Sequence, residues 1–242
     1  MDNDHWWGAF GRMAAPTFFF LLGYSRTSRV PLQWIVLGVG LTLLDSSNND
    51  WTWMPPNILL SFALIRLASP YVRTFVERRG WVAYATVALA LVAVLPLAAM
   101  VVDYGAEGWL WALFGLSQRM YVDGKAVVGV KEAAQNLATQ AYARINNAGL
   151  MRLLICIVTA VVYVWQEQLE FKFSQGQLTI FIVGLGILCL SLCLFLRGPS
   201  RVQPPESVAS VLRFIGRHTL EIYAIELIVF ELIAEWLPDL TP

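Results

Sequence analysis

Apolar residues run through this chain in blocks, parted by short polar stretches that hold most of its charges. A helix needs about 20 predominantly apolar residues to cross the hydrocarbon core of a bilayer. On that measure the blocks predict eight spans, at 8–24, 31–44, 57–69, 81–102, 109–122, 148–165, 178–196 and 217–237. Those at 31–44, 57–69 and 109–122 are short, so they either extend into their flanks or re-enter the face they came from. Pro31 and Pro56 mark helix starts, where a missing N–H costs nothing. No internal repeat is visible. The pattern predicts an all-α fold: a polytopic transmembrane helix bundle of about eight spans, one integral membrane domain over 1–242.

The intervening charges orient the bundle. With the N-terminus outside, the loops that become cytoplasmic hold Arg26 and Arg29, then Arg73, Arg78 and Arg79, then Lys125, Lys131 and Arg144, then Arg197, Arg201 and Arg213. The external loops hold only Lys172. This positive-inside pattern predicts both termini external. Trp6, Trp7, Trp51, Trp53, Trp109, Trp111, Trp165 and Trp236 gather near external ends, as indoles do at the membrane interface. The cytoplasmic segment 123–147 contains KEAAQNLATQAYARI, in which Ala134, Leu137, Ala138, Ala141, Tyr142 and Ile145 share one helical stripe. That amphipathic segment predicts a helix lying on the bilayer, or else a lid over a cytoplasmic opening.

Composition agrees with the spans. The chain is 57% hydrophobic and 14% charged, with mean hydropathy +0.59, whereas a soluble domain carries roughly 25% charged residues. The lipid bilayer is the first partner implied. Zero net charge gives no global argument for a nucleic-acid partner. Cys156, Cys189 and Cys193 lie in apolar runs without histidine or carboxylate neighbours in sequence, which predicts packing rather than a metal site.

The candidate chemistry lies in the ionisable groups that the spans retain, each costing roughly 2.5–3.5 kcal/mol at mid-helix. Arg12 sits about one turn inside the first span, beside Gly11 and four residues before Pro16. It either snorkels to the external surface or lines a cavity. Pro16 takes the hydrogen bond away from the Arg12 carbonyl and predicts a kink there. In the last span, RFIGRHTLEIYAIELIVFELIAEW, 100° steps place Glu221, Glu231 and Glu235 within an arc of about 80°. Glu226 falls on the far side, near mid-membrane, with Tyr223 about 60° from it. Glu226 and Glu231 must be protonated, paired or open to a water-filled pocket. Arg12, Arg66 and Arg152 are the cations available to them. His218, at the cytoplasmic start of this span, is either a general base or a helix-terminus ligand of backbone groups.

These residues resemble a known family. GRMAAPTFFFLLGYSRT, NILLSFALIRL (57–67) and IGRHTLEIYAIEL (215–227) are similar to the opening, following and closing motifs of the TraX-type membrane proteins. Those proteins are associated with N-acetylation of pilin subunits. The resemblance implies an N-acetyltransferase of the bacterial inner membrane that uses cytoplasmic acetyl-CoA, with a pilin or another amine as acceptor. It assigns catalytic roles to Arg12 and to Glu226, the latter standing where the closing motif usually has histidine, beside His218, the candidate general base. Pro16, Tyr24, Tyr223 and Glu231 would line the substrate cavity. Arg26, Arg29, Arg213 and Arg217 would hold the coenzyme A phosphates. Family members also carry an Asp-His pair on a helix upstream of the Gly-Arg motif. Met1 lies ten residues before Gly11, so the chain is expected either to be truncated or to lack that helix, and to be weak or inactive as it stands. Two other classes fit the same pattern: a transporter or exporter with a polar path, and a non-catalytic assembly subunit.

Overall fold

The structure is a computed structural model that describes residues 12–48, 57–98, 104–131, 138–195 and 205–217. Among the described residues there are eight α-helices and no strand. In chain order they are α1 (Ala14–Tyr24), α2 (Leu32–Asn48), α3 (Ile58–Arg79), α4 (Trp81–Ala98), α5 (Gly105–Lys131), α6 (Ala138–Phe171), α7 (Gln175–Cys193) and α8 (Glu206–Arg217). Among the described residues, four stretches are long and apolar enough to cross a membrane: Ile58–Arg79, Trp81–Ala98, Ala148–Phe171 and Gln175–Cys193. Ala14–Tyr24 and Leu32–Leu43 are shorter apolar helices.

The short span at 57–69 extends into its flank and continues to Arg79. Gly80, at φ 64°, is the only residue between α3 and α4, and its positive φ is the conformation glycine supplies without a Cβ clash. The segment 123–147 is divided between its neighbours: α5 runs on to Lys131 and α6 begins at Ala138. Pro16 does not kink α1. The helix starts at Ala14, so Pro16 falls in its first turn, where its fixed φ and missing N–H are tolerated.

The core is arranged around α5. Leu110, Trp111, Phe114 and Gln118 of this helix are all fully enclosed, and α1, α3, α4 and α6 pack around it. The four apolar stretches instead expose many large hydrophobic side chains, such as Leu67, Leu89, Ile157, Val161 and Ile187. Hydropathy and burial therefore run in opposite directions, as expected when the apolar helices face lipid and the polar one is kept among protein. α1 and α5 cross backbone to backbone. A Cβ on Gly23 would collide with the Ala112 carbonyl, and one on Gly115 with the Phe20 carbonyl. Phe19, Phe20 and Tyr24 of α1 fill the space on either side of that crossing.

Candidate functional site

One polar cluster forms where α1 begins. Pro16 leaves the Arg12 carbonyl without a helical donor, and the Tyr163 hydroxyl of α6 donates to that oxygen at 2.6 Å. Tyr163 is fully buried, edge-on to Trp111 of α5 and tilted against Phe181 of α7. The Arg12 guanidinium reaches Glu170 Oε1 at 3.0 Å and Glu167 Oε2 at 3.7 Å. It also lies 5.0 Å from the Tyr104 ring centroid and 4.5 Å from that of Phe171. Tyr104 holds its ring there from a left-handed backbone, φ 56°, uncommon for a residue with a Cβ. Glu167 is 1% exposed, and Glu107 of α5 is buried within electrostatic reach of Tyr163. Arg12 thus points at carboxylates and aromatic faces within the protein, and keeps 22% of its side chain accessible.

A second polar layer lies one helix length away, where α1 ends. Asp123 of α5 accepts from Arg26 at 2.5 Å and from Arg119 at 3.0 Å. The Arg119 guanidinium sits 5.2 Å from the centre of the Tyr24 ring. Burial works to raise the Asp123 pKa, but the hydrogen bonds and charges of the two arginines outweigh it and hold the carboxyl below its ordinary value. The Tyr24 hydroxyl is buried and has no hydrogen-bond partner among the described residues. Nearby, the fully buried Gln118 donates to the Cys193 and Phe195 carbonyls at 3.0 and 2.8 Å and accepts from Arg152 at 2.9 Å. This satisfies carbonyls that the end of α7 leaves without helical donors. Arg66 donates to the Thr27 carbonyl and stacks on Trp34.

Between α3, α4 and α5 runs a cavity of about 260 Å³. Arg26, Arg73 and Arg119 line it at one end, and Leu91, Trp109 and Leu113 line its depth.

The sequence-derived residues divide into three groups. Arg12 and Pro16 stand together at the first cluster, and Tyr24 and Arg26 at the second. Arg29 is exposed on the link after α1, and Arg213 and Arg217 belong to α8. His218, Tyr223, Glu226 and Glu231 lie outside the described residues. Sequence reasoning passed over Glu107, Glu167, Tyr163, Arg119 and Asp123. Glu107 and Glu167 fell just beyond the spans drawn at 109–122 and 148–165. Both helices run further, and the extra turns carry the two acids inside. The shortness of the 109–122 block was the signal that could have found Glu107. Among the described residues no group of three or more His, Cys, Asp or Glu could hold a metal ion.

Compared with known proteins, the chain has no match among family models, curated proteins or solved structures.

Proposed function

We propose that the protein is an integral membrane N-acetyltransferase of the TraX type, carrying acetyl from acetyl-CoA to an amine on a pilin or another acceptor. The observation that carries this reading is the inward placement of the opening motif: Arg12 against Tyr163 and Glu167, Pro16 buried, and Tyr24 buried beside Arg119. A motif that served only to fill lipid would have no use for these partners. Acetyl-CoA is held by its phosphates at the Arg26 end, through charge-assisted contacts from Arg26 and Arg29, with Arg213 and Arg217 the further cations that the resemblance nominates, and its pantetheine arm carries the thioester along α1 to Arg12. An amine attacks that carbonyl only as its neutral form, so a proton must pass to a base. Glu167 is the carboxylate among the described residues best enclosed for that task, and Arg12 is the cation beside it for a developing oxyanion. As the new C–N bond forms and the C–S bond breaks, Glu167 takes the amine proton and hands it to the departing sulfur, so that coenzyme A leaves as its thiol. In this reading the chain lies in the bacterial inner membrane, with its Arg26 end cytoplasmic and both termini external.

The test is acetyl-CoA binding by the purified protein. Arg26→Gln and Arg29→Gln should each weaken it by about tenfold, the ~1.4 kcal/mol of one charge-assisted contact. Saturable binding unchanged by both substitutions would remove the arginines from the donor site. A second reading, an exporter, draws on Glu107 and Glu167 buried at the Arg12 end. It predicts movement of a solute across liposomes without acetyl transfer.

A further inference from the structure

The cavity between α3, α4 and α5 has an order that acetyl transfer does not account for. Its polar walls lie at one end. Arg26 and Ser28 come from the link after α1, Arg73 and Glu77 from the last turns of α3, and Arg119 from α5. Its deep walls are hydrocarbon and indole: Ile65, Val87, Leu91, Leu113 and Trp109. Trp109 and Arg119 are ten residues apart on α5, about 15 Å at 1.5 Å per residue. On α3, Ile65 and Glu77 bracket a similar length. The cavity therefore runs as a shaft along α3 and α5, with its charged groups gathered at one end.

The charges at that end limit what the head of a ligand can be. Arg26 and Arg119 share Asp123, and Arg73 pairs with Glu77 at 2.7 Å. Three guanidiniums against two carboxylates leave one positive charge. A monoanion completes that balance. The deep walls restrict the remainder of the ligand. Apart from the Ser69 hydroxyl and the Trp109 indole N–H, the deep lining is hydrocarbon from Ile65, Val87, Leu91 and Leu113, so an amide or hydroxyl against it would lose water without replacement, at roughly 1–3 kcal/mol each on mutational scales. A hydrocarbon chain loses nothing there and gains burial.

We propose that this shaft binds an anionic single-chain lipid, with a carboxylate or phosphodiester head between Arg26, Arg73 and Arg119 and its chain along α5 to Trp109. The site shares Arg26 with the proposed donor site but otherwise differs from it: it needs no acyl donor, and coenzyme A lacks the hydrocarbon tail that it selects.

The experiment uses the full chain, delipidated in detergent. It compares oleate, lysophosphatidylglycerol, the neutral monoolein and inorganic phosphate by native mass spectrometry and by thermal shift. Oleate or lysophosphatidylglycerol should bind at least about tenfold more tightly than monoolein, and phosphate alone should give no shift. Whichever of the two anionic lipids binds better identifies the head group as carboxylate or phosphodiester. Filling the shaft, by Leu113→Trp or by Leu91→Trp on the less enclosed α4 wall, should reduce anionic lipid binding by about tenfold or more. Arg73→Gln should reduce it without changing monoolein binding. A dibrominated fatty acid should quench tryptophan fluorescence in the native chain more than in Trp109→Phe. Equal affinity for monoolein and oleate, a phosphate shift equal to that of the lipids, or quenching that does not depend on Trp109 would each overturn the proposal. Acetyl-CoA binding, measured separately, reports on the transferase reading alone.

Discussion

Tyr163 donates a 2.6 Å hydrogen bond to the carbonyl oxygen of Arg12, the oxygen that Pro16 leaves without a helical donor. One proline thus creates a backbone acceptor inside the bundle, and a fully buried tyrosine on a helix distant in sequence satisfies it. Tyr163→Phe keeps the ring and its contacts with Trp111 and Phe181 but removes the donor. The cost should be about 1–3 kcal/mol, that of a buried carbonyl left unpaired. Thermal unfolding in detergent measures it. A loss below about 0.5 kcal/mol would mean that water or another donor serves Arg12 equally well.

The α1–α5 crossing depends on two glycines. Gly23→Ala and Gly115→Ala each place a methyl group against main-chain atoms, which cannot move aside as a side-chain tip can. Each should destabilise by about 1–3 kcal/mol or more. Gly186 of α7 has nothing within 4 Å of a built Cβ, so Gly186→Ala should be neutral or stabilise by up to about 1 kcal/mol. Equal melting temperatures for all three variants would show that the two helices do not meet closely.

Asp123 sets an acid limb of stability. Its folded pKa lies below its unfolded value, near 3.9. Its contribution is therefore complete above the unfolded pKa and is lost as pH falls through the folded one. Asp123→Asn should cost about 1–2 kcal/mol at neutral pH. The difference between variant and native chain should shrink as the pH falls below 4 or so. A difference constant down to pH 2 would show that the carboxylate charge plays no part.

Much of the scaffold was legible before the structure, and the reasons are specific. Blocks such as 81–102 and 178–196 can only be buried or lipid-facing, and they became α4 and α7 within a few residues. Arg12 and Pro16 stood out because a charge and a proline in an apolar run each carry a cost. The partners on α6 did not stand out. Glu167 and Glu170 sit in WQEQLEF, which in sequence looks like an ordinary wet helix end. Only the packing of α6 against α5, with Arg12 reaching across to it, makes Glu167 a buried acid. The shaft was illegible for the same reason: Val87, Leu113 and Arg73 are unremarkable until three helices bring them together.

Arg12 should matter through its fork of hydrogen bonds as well as its charge. Arg12→Lys retains a cation but cannot address Glu167 and Glu170 with separate guanidinium nitrogens. In the transferase reading it should lower acetyl transfer by about tenfold, with acetyl-CoA affinity changed less than about threefold. A larger change in affinity than in turnover would place Arg12 at the donor instead.

The most direct measurement tracks radiolabelled acetyl from acetyl-CoA to an amine acceptor, using the protein reconstituted in liposomes with labelled donor supplied at the Arg26 face. The account predicts transfer above that of protein-free liposomes, falling at least about tenfold in Glu167→Gln, a loss typical of removing a general base. His218→Ala and Glu226→Gln, measured alongside, report on the two candidate bases of the last span. Transfer that survives Glu167→Gln unchanged, or the absence of both transfer and saturable acetyl-CoA binding, would contradict it.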